Sequence, residues 1–173
     1  MNKRLVVERK GEEKLRQEPS QRIHRKALTV WRVISTLKSI ANLVILIGII
    51  WAIRFFEWPT WIIYVAIGIF VVSSIISILI LPTLRWKRWR YEIHEQEVEL
   101  QYGIIIKRRT LIPMVRVQHV DTNQGPFLRY YKLATVHIST AAKLHEIPAL
   151  GEEEADIVRD KISTLARVTD DDV

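Results

Sequence analysis

The sequence predicts an α+β membrane protein in which a two-helix transmembrane hairpin precedes a small domain of antiparallel strands closed by a C-terminal helix. Three observations lead there. Two long apolar runs occupy the middle of the chain, basic flanks bracket them, and strand periodicity gives way to helix periodicity at the end.

The first run, Ser39 to Ile53, is fifteen residues without a charge, and extension back to Val33 makes twenty-one with only Lys38 charged. About 20 apolar residues span a bilayer, and a lysine near one end keeps its stem in hydrocarbon while the ammonium reaches the headgroups. The second run, Trp58 to Leu84, holds twenty-seven consecutive uncharged residues, enough to span with tilt. The spans are placed at about 34–54 and 59–83, inside a hairpin of 33–84. Between them Arg54 to Thr60 is too short to hold a domain, so the helices are antiparallel neighbours.

Charge orients the hairpin. The formal net charge is +7, but residues 1–38 hold eleven Lys/Arg against four acids, residues 85–90 add four bases, and residues 91–173 hold ten bases against fourteen acids. A nucleic-acid binder concentrates positive charge on its folded domain, so nucleic acid is excluded as a partner. The basic outer flanks and the loop's one base and one acid place both termini in the cytoplasm. Residues 1–32 are then a basic cytoplasmic segment. Tryptophans agree: Trp31, Trp86 and Trp89 fall at the expected cytoplasmic border, and Trp51, Trp58 and Trp61 at the outer one.

Gly48 and Ala52 are four apart, as are Ser73 and Ser77, giving faces where another helix approaches closely. These faces pack the hairpin or dock a partner's helices, and Asn42 adds a polar group that prefers protein to lipid. No chain of ionisable groups runs through the spans, which ranks a transporter subunit last. The first apolar stretch begins more than thirty residues in, so the chain is taken as full length without a cleaved signal peptide.

After Arg90 apolar and polar residues alternate at Tyr91 and Ile93, then at Val98, Leu100 and Tyr102, with bends at Glu95-Gln96 and Gly103. Ile104 to Ile112 is expected to continue extended up to Pro113, followed by β-rich runs at Val115–Thr122 and Leu133–Thr140, with a break at Asn123–Pro126 between them. Ala155, Val158, Ile162 and Leu165 recur at helical spacing behind Glu152, Glu153 and Glu154, anions that suit a helix N-terminus. The domain is bounded at 85–168, leaving 169–173 as an acidic tail.

No cysteine is present, which removes disulfides, thiolate metal sites and a cysteine nucleophile. No catalytic constellation is legible. His119 and Asp121 are two apart on one strand face, with His137 and His145 on later segments, a scatter more typical of surface and core histidines than of ligands. Catalytic residues, metal, cofactor and small-molecule substrate are therefore all assigned as none. The basic cluster Lys107-Arg108-Arg109 is the candidate for anionic lipid headgroups. Arg116, Gln118, Gln124 and Arg129, polar residues between apolar strand positions, either stabilise the fold or face a partner.

Several stretches resemble the bacterial pleckstrin-homology (PH-like) membrane proteins of the short YdbS-like type: Trp89-Arg90-Tyr91-Glu92-Ile93, the run from Leu111 to Ala142, and the run from Ile147 to Ile162. The ordered set Ile112-Pro113, Arg116-Val117-Gln118, Gln124-Gly125, Arg129 and Leu133-Ala134-Thr135 carries most of that likeness. Lys132 departs from it, since the family usually has glycine there. The resemblance implies a PH-like split β-barrel capped by the C-terminal α-helix, in a bacterial cytoplasmic membrane. It implies a partner as well, a larger membrane protein with several copies of the domain, and a link to cell-envelope stress and tolerance of membrane-active bacteriocin peptides. Two functional expectations result. One is a non-enzymatic scaffold that assembles with that larger protein or as a homo-oligomer; the other is a module that binds or senses anionic membrane lipids through Lys107, Arg108 and Arg109.

Overall fold

The computed structural model describes residues 18–171. The earlier part of the basic segment and the last two residues of the acidic tail lie outside them.

Helix α1 runs from Ala27 to Phe55 and helix α2 from Trp61 to Arg88, each long and apolar enough to cross a membrane. At 29 residues α1 is roughly 43 Å long, more than the hydrocarbon thickness requires. Its surplus lies at the start, where Ala27 and Val30 are buried in the core of the sheet domain. Trp31 and Ile34 pack against that core as well, so the contact reaches the first residue of the expected span. In α2 the stretch Ile76–Ile80 is π-helical, and the Leu81 amide reaches back to Ile76. Pro82, which has no N–H to offer a helix ladder, follows at once, and the widened turn accommodates it.

The strands are β1 (Gln21–Arg22), β2 (Arg90–Ile93), β3 (Glu97–Tyr102), β4 (Arg108–Pro113), β5 (Val117–Asn123), β6 (Leu133–Thr140) and β7 (Leu144–Gly151). They form an antiparallel four-stranded sheet ordered β1-β2-β3-β4 and an antiparallel three-stranded sheet ordered β5-β6-β7. The two sheets are not hydrogen-bonded into a closed barrel, so the expected split barrel is two separate sheets around one core. A short helix α3 (Pro126–Tyr130) fills the predicted break, with proline at its first position, where no N–H is needed. The C-terminal helix α4 spans Glu152–Asp171, carrying the helix into the stretch expected as a tail. It buries Ala155, Val158 and Ile162 against the sheets. At its first turn the buried Tyr91 hydroxyl donates to Glu154 Oε1 at 2.7 Å. Burial, reinforced by that hydrogen bond, pushes the phenol well above its ordinary range.

Three further expectations change. Ile104 to Ile112 is not continuously extended: Gly103 has φ +113° and the chain folds back, so that Tyr102 pairs with Arg108. A Cβ on Gly103 would run into the Ile106 carbonyl, which is why glycine stands there. The domain also does not begin at residue 85. Ile23, Ala27 and Val30, all ahead of the hairpin's apolar runs, share its buried core with Trp89, Tyr91 and Leu100. Trp89, finally, is only 5% exposed and stacks on Tyr102, so it belongs to that core instead of an interfacial belt.

Candidate functional site

The basic cluster opens β4, and its neighbours decide what it does. Lys107 Nζ meets Glu18 Oε1 at 2.7 Å, and Arg90 approaches the same carboxylate at 3.4 Å. The hydrogen bond and charge of Lys107, then the charge of Arg90, hold the Glu18 carboxyl below its usual range. Arg109 stands opposite Gln101 in the ladder and ion-pairs diagonally with Glu99, which is 1% exposed. His94 Nε2 lies 4.0 Å from the other Glu99 oxygen. A buried carboxylate is tolerated only with such partners. Among the described residues, Arg108 alone of the three has no ion pair. Two of the three charges read as headgroup ligands are thus engaged within the molecule.

The family-motif residues fall into two groups, at opposite ends of β5. Arg116 and Gln118 are exposed beside a cleft of about 530 Å³ that also touches Ile112, Thr140 and His145. Gln124 Nε2 donates to the Leu133 carbonyl at 3.1 Å, which closes the connection across α3 into β6. Arg129 is exposed on α3, and its carbonyl accepts from the Lys132 amide at 3.1 Å. Lys132 has φ +54°, a conformation that suits glycine. The turn therefore keeps its shape despite the lysine.

Within the hairpin the helices meet along Ser39, Leu46 and Ile53 of α1, spaced seven apart on one face. Leu46 and Ile53 are buried, and Ser39 Oγ shares a 2.8 Å hydrogen bond with Ser74 Oγ. A side chain at Gly48 would meet nothing within 4 Å, so that glycine is not at the contact; Ala52 is half-buried. Towards the sheet domain an open groove of about 400 Å³ runs along the two helices, with that serine pair in its lining. Ser35, Ser39 and Asn42 line it from α1, and Ser73, Ser74 and Ser77 from α2. Lys38 and Arg85 stand along it as well. Arg85 is braced from two sides, 4.4 Å over the Trp31 ring and 3.9 Å from Glu146 on β7.

No metal centre forms among the described residues, where no three His, Asp or Glu side chains gather. His137 lies opposite Asp121, while His145 is buried opposite Ile138. Sequence reasoning missed β7, the docking of residues 18–24, and the loop between β3 and β4. The short apolar run Ile147 to Leu150, ended by Gly151, was a usable signal for β7. Two-residue β1 carried none.

The model of the bacterial PH domain family matches residues 27–166, covering both long helices and strands β2 to β7. The chain is 50% identical to UPF0699 transmembrane protein YdbS of Bacillus subtilis (strain 168) across 92% of its own length and 100% of that protein. It is 24% identical to UPF0699 transmembrane protein YdbT of the same organism across 57% of this chain and 20% of YdbT. No solved structure matches.

Proposed function

We propose a function from one premise, that the chain belongs to the bacterial PH domain family: it is a non-enzymatic scaffold anchored in the cytoplasmic membrane by two spans, with both termini cytoplasmic. The scaffold assembles with a larger membrane protein that carries related domains, or with a second copy of itself.

The groove is the observation that supports this reading. Its hydroxyls and the exposed Asn42 amide lie along helices whose other faces are Ile, Leu and Val. In hydrocarbon such polar groups favour interhelical hydrogen bonds, and small side chains admit a close helix approach. YdbT, a transmembrane protein matched over only a fifth of its length, illustrates the kind of longer relative that has a segment similar to this chain. Headgroup binding by Lys107, Arg108 and Arg109 is the weaker alternative, because two of those charges are already paired.

Purification from native membranes in mild detergent should co-isolate a larger membrane protein, and the double variant Asn42→Leu, Ser77→Leu should lose it. A monodisperse monomer without a partner overturns the assembly. The proposed cellular consequence is envelope protection, including tolerance of membrane-active bacteriocin peptides. A deletion strain no more sensitive to such peptides than its parent refutes that part.

A further inference from the structure

The loop between β3 and β4 presents three isoleucines in a row, and they are not in the core. Ile105 is 93% exposed and Ile106 69%, so Ile105 is more exposed than any other large apolar side chain among the described residues, hairpin included. A soluble domain gains nothing by fixing such side chains in water. Yet the loop is fixed. Tyr102 stacks on the buried Trp89 at its start, Gly103 makes the turn, and the Tyr102–Arg108 pair closes it.

Its place in the fold supplies the occupant. Ile104 lines the hairpin groove together with Leu81, Pro82 and Arg85 of α2. The loop therefore lies against the end of the helix whose outer surface faces lipid. On its other side the exposed Leu144 of β7 shares a cleft with Ile104, Ile105 and Ile106. The apolar surface of the hairpin thus meets that of the isoleucine loop beside the Arg85–Glu146 ion pair, the charged pair at the junction of the two clefts. Lys107, paired with Glu18, and then Arg108, unpaired among the described residues, follow the isoleucines, and a free cation beside an apolar loop suits the phosphates of an anionic leaflet.

We propose that the Ile104–Ile106 loop inserts into the domain-side leaflet of the same membrane, giving the sheet domain a second point of attachment beside the hairpin. Attachment at two points restricts how the domain tilts, and so fixes which of its faces point away from the bilayer. The contact is apolar insertion into acyl chains, distinct from recognition of a particular headgroup. It rests on the placement of the helices across the bilayer, and a mid-hairpin reference site tests that placement separately.

Because the chain has no cysteine, single-cysteine labelling is clean. Ile105→Cys and Ile106→Cys of the full chain, each carrying an environment-sensitive bimane, are reconstituted in phosphatidylglycerol–phosphatidylethanolamine vesicles with or without brominated acyl chains. Ile47→Cys on α1 is the hydrocarbon reference and Ile157→Cys on α4 the comparison on the domain. Blue-shifted emission at 105 and 106, quenched by brominated lipid as at 47, is the expected result. Quenching of both loop sites by aqueous iodide alone, with 47 still quenched by lipid, overturns the insertion while leaving the spans intact. Aqueous behaviour at 47 overturns the membrane placement itself.

Discussion

Two short segments beside the hairpin both join isoleucine to basic residues and meet opposite fates. Gln21-Arg22-Ile23-His24-Arg25-Lys26 enters α1, and Gly103-Ile104-Ile105-Ile106-Lys107-Arg108 joins β3 to β4; each sets isoleucine beside basic residues. Ile23 is 2% exposed, whereas Ile105 stands in the open. The difference lies in what the backbone finds. Gln21 and Arg22 pair with the free edge of β2, the His24 amide donates to the Ala149 carbonyl at 3.2 Å, and Trp86 Nε1 donates to the Ile23 carbonyl at 3.3 Å. Ala149 offers that carbonyl because β7 bulges there, with φ +53° at Ala149 itself. The isoleucine loop has no edge to join, since β3 and β4 are already paired with each other up to its base. Composition alone does not decide burial; an available edge does.

The largest test of this comparison removes the buried member. Ile23→Ala should destabilise the sheet domain by about 3 kcal/mol, because a fully buried isoleucine is truncated in a core that cannot collapse around it. Thermal unfolding of the full chain in detergent, followed by near-ultraviolet circular dichroism, measures it. An unchanged midpoint would remove residues 18–26 from the folding unit. By the same logic a fragment starting at residue 85 or 91 lacks Ile23, Ala27 and Val30, so its behaviour does not represent the domain.

The second test concerns the turns that aim the segments. Gly103 and Lys132 both have positive φ, but only one is glycine. Gly103→Ala adds a Cβ against the Ile106 carbonyl and should cost about 2 kcal/mol while displacing the isoleucines. Lys132→Gly removes left-handed strain at an exposed side chain and should stabilise by about 0.5 kcal/mol, after the extra freedom of glycine in the unfolded chain is counted. If both substitutions shift the unfolding midpoint in the same direction, backbone conformation is not what separates the two turns.

These contrasts also explain what was legible in the sequence. The two long apolar helices could be read because the length of an apolar run is a local property. Leu133–Thr140 and the C-terminal helix could be read because apolar periodicity marks their buried faces. Edge pairing is a relation between distant residues, so β1, held by only two register pairs with β2, left no local trace. The basic cluster looked like one site because Lys107, Arg108 and Arg109 are consecutive. Their partners, Glu18 and Glu99, come from two other parts of the chain. In the hairpin, Ser39 and Ser74 rather than the Gly48 and Ala52 pair carry the hydrogen-bonded contact, because spacing marks small faces without saying which one turns inward.

The smallest expected effect falls on the cleft beside the exposed isoleucines, where His145 is buried next to Lys143. Burial first, and the Lys143 charge second, depress the imidazole below its ordinary value of 6.5 in the folded chain. Arg85 and Arg116 line the clefts on its two sides, with Glu146 adjacent in sequence. Well above pH 6.5 the histidine is neutral in both folded and unfolded chains and contributes no pH dependence. Below it the unfolded chain takes up the proton first, so stability declines as pH falls, until the folded imidazole titrates too. Unfolding midpoints measured between about pH 8 and about pH 5 should fall towards acid. The decline should be shallower in His145→Gln, which is neutral throughout. Equal slopes in the two proteins would mean that the acid sensitivity in this range arises elsewhere than at His145, and elsewhere than at Glu18 too. Its carboxyl is held below the usual range by Lys107, so its contribution is lost only at lower pH, as it protonates.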